Sequence, residues 1–307
     1  MLKQRSSSIT RITFVASLLS LGMLFSGCTI GDVAESGGDV QQPAEQATIT
    51  KKAPSNDGPQ PTPSAAQPSS DATDARAGAS SRSQERKRTP MGNVDLSGRT
   101  IYLDPGHAAV MQTPMTQVTD GRGGMKPCQV SGTNANDGWP EHTFNWEMAQ
   151  VLRKKLEAAG ATVALSRPDD TGQADCIDVR TEKENASNAD VVLSLHADGA
   201  GEGNRGFHII TVADPLPGNQ ADKSESLATA LRDAFVAASL TPSNYLGQNG
   251  IDYRADLTGL NLSTKPKVLI EFGNMRDSED IALLQSPDGQ ATFADAIVKG
   301  VAASLGS

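Results

Sequence analysis

The stretch VVLSLH at residues 191–196 is apolar almost from end to end and finishes in a histidine. A strand without alternation is expected to be buried on both faces, the habit of a parallel sheet covered by helices. Two more short runs have the same form: IYLDPGH at 101–107 and KVLIE at 267–271. Each stops at a His or a Glu, residue types with no packing reason to end a core strand. Helical patterns lie between them. In 141–159, Phe144, Met148, Val151, Leu152 and Leu156 recur at steps of three and four, with Gly160 as a stop. Residues 178–188, 222–240 and 295–305 read as further helices, and 162–166 and 206–211 as further strands. The long segment 108–138 has no clear period and reads as a loop, with Arg122-Gly123-Gly124 as a mobile part. The alternation predicts an α/β domain: an open, mostly parallel twisted sheet with helices on both faces and right-handed crossovers. In such sheets the ligand site lies beyond the carboxyl ends of the strands. His107, His196 and Glu271 are therefore expected at one edge, joined there by Glu141 at the start of its helix.

The chain has 307 residues, a formal charge of −9 and 37% hydrophobic content, unevenly spread. Residues 29–92 contain no Phe, Trp, Tyr or Leu. Such a stretch cannot bury enough apolar surface to offset its ordering entropy, and reads as a disordered Pro/Ser/Ala-rich linker. Residues 93–307 then make one domain with a full core. At the N-terminus, Lys3, Arg5 and Arg11 precede an apolar run at 12–25, too short for a comfortable membrane span, which marks an export signal within 1–28. It ends in LFSGC, which resembles a bacterial lipobox and implies lipidation of Cys28, although Phe25 stands where that pattern prefers Leu. Plain secretion after cleavage, or an uncleaved anchor, are the alternatives. All three put the domain outside the cytoplasm, with the linker as a tether and the membrane touched only through the anchor.

In an exported protein the remaining cysteines, Cys128 and Cys176, pair more often than they stay free. Closing a 48-residue loop contributes roughly 4 kcal/mol in the chain-entropy picture. The acidic balance argues against a nucleic-acid partner. Arg86-Lys87-Arg88 reads as part of a solvated tether, and a monomer is the expectation.

Two neutral imidazoles and a carboxylate form a common catalytic zinc set, with one position left for water. Zinc lowers the pKa of that water towards about 7. A nearby carboxylate that is not a ligand can carry its proton to a leaving amine. His107, Glu141 and His196 can fill the ligand places and Glu271 the proton-carrying one, for metal-assisted hydrolysis of an amide. HExxH, CxxC and GxSxG are all absent from the chain, so a nucleophile-elbow serine hydrolase lacks its main sign.

The ordered set LDPGH (103–107), Glu141 with Asn145, Arg180 ahead of VVLSLHAD, and KVLIEFGNMRD (267–277) resembles the zinc-dependent N-acetylmuramoyl-L-alanine amidases of the family-3 type. The resemblance covers residues 98–305. Details such as WPEHTFNWE, the cysteine pair and RADLTGLNLS are most similar to actinobacterial members. It implies zinc on His107, Glu141 and His196, catalysis by Glu271, and cleavage of peptidoglycan between N-acetylmuramic acid and L-alanine in wall remodelling or cell separation. Ala108-Ala109 replace the family's usual Gly-Gly, and no cell-wall-binding repeat is visible. Substrate affinity is then expected from the domain itself or from tethering. A silent wall-binding module and a zinc peptidase acting on stem peptides are the competing readings, but all four expected residues are present.

Candidates for substrate contact are His142, Asp198, Trp139 and Arg254; a plainer role is open to His142 as helix-start polarity, to Asp198 in loop ordering and to Arg254 in an ion pair with Asp256, while Trp139 could stack on a sugar or peptide. Asp104 is a candidate to orient His107 or to form the turn before Pro105. His208 alternates within a strand and reads as structural, and Trp146 as helix packing.

Overall fold

Strand pairing decides where the site can form. The computed structural model describes residues 94–306. The export signal, Cys28 and the linker at 29–92 lie outside the described residues, as do Asn93 and Ser307. A six-stranded sheet runs in the order β4 (Thr162–Leu165), β1 (Thr100–Pro105), β5 (Val191–Asp198), β8 (Lys267–Asn274), β6 (His208–Val212), β7 (Ile251–Arg254). The first four are mutually parallel. β6 pairs antiparallel with β8 and parallel with β7, so the sheet is mixed, four strands against two. The connection from β5 to β6 spans nine residues. A parallel crossover needs a dozen or more, and the reversal follows.

One face carries the main core. Leu103, Leu193, Leu195, Val268 and Ile270 pack there against α1 (Glu141–Ala158), α3 (Ala221–Ala237) and α6 (Pro287–Leu305). Phe144, Phe235, Phe272 and Phe293 meet at this interface with ring centroids 5.0–6.4 Å apart. Burying each ring is worth about 1.5–3 kcal/mol. The opposite face is thinner and is covered by α2 (Ile177–Ala186) and the one-turn α4 (Thr258–Asn261), over Tyr102, Val192, Ile210 and Val212.

Helix ends follow their local chemistry. Gly160 takes a left-handed φ of 94° after α1. Asp277 caps α5 (Ser278–Leu284) through the amides of Glu279 and Asp280. Ser286 and Pro287 start α6, which begins eight residues before its clearest apolar periodicity. The expected loop at 108–138 is partly ordered into a small hairpin, β2 (Gln117–Thr119) against β3 (Met125–Pro127). Its tip is held where Arg122 donates to the carbonyls of Ala213 and Asp214. Among the described residues no helix is long and apolar enough to cross a membrane.

Candidate active site

The sheet register puts chemistry on the thin face in rows. His196 of β5 pairs with Glu271 of β8, and Glu271 pairs with His208 of β6. Lateral neighbours share a face, so these three side chains form one row at the carboxyl end of the parallel strands. The row behind it is Asp104, Ser194, Leu269 and Ile210. His107 follows β1, and Glu141 opens α1 above the same edge.

His107, Glu141 and His196 converge. His107 Nε2 and His196 Nδ1 each lie 3.0 Å from Glu141 Oε1, and the three donor atoms fall within 4.8 Å of one another. Val130 offers its carbonyl to His107 Nδ1 at 2.9 Å. A carbonyl only accepts, so Nδ1 carries the proton and Nε2 turns its lone pair to the centre. Glu141 is held by the amides of Thr133 and Ala197, 2.9 and 3.2 Å away, and by Asn145 Nδ2 at 3.4 Å. Burial alone would raise its carboxyl pKa, but hydrogen bonds and charge from His107 and His196 outweigh it and hold it well below the usual range. Burial holds the His196 imidazole below its ordinary value, against the pull of Glu141. Neutral imidazole and ionised carboxylate are the states that bind a metal.

The backbone is shaped for this convergence. His107 itself takes φ of 61°, rare for a residue with a side chain. A Cβ on Gly106 would sit 2.1 Å from the His196 ring, and one on Gly132 would meet both Glu141 Oε2 and the His107 ring at 2.7 Å. Residues 130–133 therefore belong to the site. The sequence offers only Gly132 as a sign of this, and glycines are common in loops.

Glu271 stands beside this cluster on the wall of a cavity of about 320 Å³, whose lining also includes His107, His196, Arg254 and Lys267. Burial, with help from Glu141 and Asp198 and against Arg254, pushes its carboxyl well above the usual range. Oε2 of Glu271 is buried without a hydrogen-bond partner. A larger hollow between α3 and α6 has none of these groups and lies away from the chemistry.

The cavity floor is a buried ion-pair network. Arg180 of α2 grips Asp104 through Nε at 2.8 Å and through Nη2, and Ser194 donates to the same carboxylate at 2.8 Å. Lys267 bonds both oxygens of Glu184, at 2.9 and 2.7 Å. Asp104 thus neither orients His107 nor forms a turn: it is the last residue but one of β1, and its partners lie underneath the site.

The other candidates separate. Arg254 lines the cavity and makes a two-pronged contact with Asp256, at 2.8 and 2.6 Å. Asp198 ends β5 and accepts from Tyr245 Oη at 2.9 Å. His142 is turned to Asp170, 2.8 Å away, in a cluster with Thr143 and Arg167, and does not line the cavity. Trp139 packs edge-on against Phe144 at the rim of the main core and does not line it either. Trp146 lies under the Arg167 guanidinium. Cys128 and Cys176 are joined in a disulfide, which ties the loop after β3 to the first turn of α2.

Comparison with known proteins agrees with this geometry. The family model described as Amidase_3, N-acetylmuramoyl-L-alanine amidase, matches residues 101–303. N-acetylmuramoyl-L-alanine amidase Rv3717 of Mycobacterium tuberculosis is 43% identical over 213 residues, which is 69% of this chain and 88% of that protein. The crystal structure of the amidase Ami1 from Mycobacterium smegmatis superposes with a TM-score of 0.67 at 41% identity, covering 69% of this chain and 99% of that one. Apo Ami1 from Mycobacterium abscessus gives 0.67 at 44% identity, covering 68% and 100%. On the matched span, the similarity to these relatives and the converging His, Glu and His, the chain belongs to the Amidase_3 family of N-acetylmuramoyl-L-alanine amidases.

Proposed function

We propose that the domain hydrolyses the amide bond between N-acetylmuramic acid and L-alanine in peptidoglycan, with zinc held by His107, Glu141 and His196 and with Glu271 as the proton carrier. The observation that supports this most is the meeting of two imidazole nitrogens on one carboxylate oxygen, each at 3.0 Å, with Glu271 paired laterally to His196. The donor set fits zinc: two imidazoles and one carboxylate, with the His107 tautomer fixed from behind. When bound, zinc supplies Lewis acidity, polarising a carbonyl and lowering the pKa of a coordinated water towards about 7.

The chain's own groups do the rest. Glu271 takes a proton from the attacking water and delivers it to the departing alanine nitrogen. Arg254, at the cavity wall beside Glu271 and paired only with an exposed Asp256, is placed to meet a carboxylate of the stem peptide. The setting is extracytoplasmic, in wall remodelling or cell separation, with the domain acting as a monomer tethered through a lipid on Cys28. Replacing Glu271 with Gln is expected to abolish release of stem peptide while leaving zinc content at one per chain. Turnover at the wild-type rate in that variant would remove Glu271 from the mechanism.

A further inference from the structure

Two buried polar atoms on neighbouring strands lack partners, and they belong to residues that face each other. One is Oε2 of Glu271 and the other is Nδ1 of His208. The two residues are a direct pair of the antiparallel β6–β8 ladder. Directly opposed residues have Cβ atoms about 4.5–5.5 Å apart on one face, so a carboxyl and an imidazole on this pair reach one another by side-chain rotation. His208 is only 1% exposed. An orphaned imidazole nitrogen at such a place is unfavourable unless some state of the enzyme supplies its partner.

The far side of the ring is organised. His208 Nε2 lies 3.7 Å from Asp198 Oδ2, and the same oxygen accepts from Tyr245 Oη at 2.9 Å. Tyr245 in turn sits edge-on to the His208 ring, with centroids 6.3 Å apart. The charged groups around the imidazole are Asp198, Asp252 and Arg254, and burial favours its neutral form. At 3.7 Å that contact is longer than a hydrogen bond, but Asp198 is the acidic group on the Nε2 side of the ring, and Nε2 is taken as the protonated nitrogen. Nδ1 is then an acceptor. The donor it lacks is the carboxyl of Glu271 at the moment that group carries a proton.

We propose that His208, braced by Asp198 and Tyr245, is the positioning residue for Glu271: it accepts a hydrogen bond from the protonated carboxyl and holds it between water and leaving nitrogen. The proposal rests on the role given to Glu271 above. No proton is lost to the imidazole. The proton arrives from water, stays on the carboxyl while hydrogen-bonded to Nδ1, and leaves on the amine.

The test is steady-state hydrolysis of a muropeptide by the zinc-loaded enzyme, with kcat and KM separated and zinc content and thermal unfolding measured alongside. His208→Leu is expected to lower kcat roughly ten- to a hundredfold, a part of what general acid–base catalysis contributes, with KM and zinc content unchanged. His208→Asn, which keeps an acceptor near the Nδ1 position, is expected to recover most of that loss. Equal losses in the two variants, or full turnover in His208→Leu, would overturn the proposal. Should His208→Leu not fold, Tyr245→Phe removes one hydroxyl from a half-buried residue. A several-fold fall in kcat is expected, and none would overturn the idea. Glu271→Gln in the same assay separates the two levels. If it turns over normally, the role of Glu271 fails first. If it is inactive while His208→Leu is fully active, only the positioning role fails.

Discussion

Replacing Glu184 with Gln should change how stability depends on pH in a calculable way. Glu184 is wholly buried on α2, where Lys267 bonds both its oxygens and Asp104 lies on the far side of that lysine, 3.8 Å from it. Burial pushes its carboxyl up from 4.5 to about 7, against the pull of Lys267. The folded state therefore holds this proton more tightly than the unfolded chain does. Stability from this group is full below about 4.5 and is lost as pH rises through about 7. At about 1.4 kcal/mol per pH unit, going from pH 5 to pH 8 removes roughly 2–3 kcal/mol through Glu184 alone. The glutamine variant has no such proton. Urea unfolding of both proteins at the two pH values should show the stability difference between them shift by that amount, in favour of the variant at pH 8. Groups common to both proteins cancel. A companion, Lys267→Met, leaves Glu184 unpaired and is expected to cost about 3–5 kcal/mol at pH 8, and less at pH 5, where Glu184 is already neutral. Parallel pH curves for wild type and Glu184→Gln would refute the reasoning.

Three further outcomes follow from the geometry. Gly106→Ala forces a Cβ to within 2.1 Å of the His196 ring; loss of bound zinc, measured by metal analysis of the folded protein, is expected together with loss of hydrolysis. Asn145→Ala removes donors to the Gly106 carbonyl at 3.3 Å and to Glu141 at 3.4 Å. Zinc affinity by competition with a chelator should fall roughly 10–100-fold, and an unchanged affinity would show that Glu141 needs no such support. Replacing Cys128 and Cys176 together by Ser opens a 48-residue loop. Denaturant unfolding should show a loss of about 2–4 kcal/mol, and α2 is the element expected to loosen.

Much of the architecture could be read from the chain because its buried strands announce themselves. The runs at 101–105, 191–195 and 267–270 lie in β1, β5 and β8, and His107, His196 and Glu271 stand at the expected edge. The direction of β6 was not legible in the same way. An apolar run looks alike in either direction, and only the short connection before it signals the reversal. Elements of three or four residues, β2, β3 and α4, are shorter than the period that would reveal them. The same limit applies to the site. Its ligand-type residues end strands or open a helix, where pattern reading is strong. The groups that hold them do not. Val130 contributes a backbone carbonyl, which has no sequence signature, and Tyr245 reaches Asp198 from a loop 47 residues away. Asp104 in Asp-Pro-Gly suggests a turn residue or a partner for His107; buried cations from α2 and β8 instead keep it inside the strand. His208 was legible as a strand residue, but its pairing with Glu271 depends on which strand lies next to β8.

Mass spectrometry of the products released from muropeptides by residues 93–307, with and without chelator, tests the central claim most directly. The expected result is free stem peptide with an L-alanine amino terminus, lost on chelation and restored by zinc. Stem peptides shortened at an internal bond, or no product from folded, zinc-loaded protein, would contradict it.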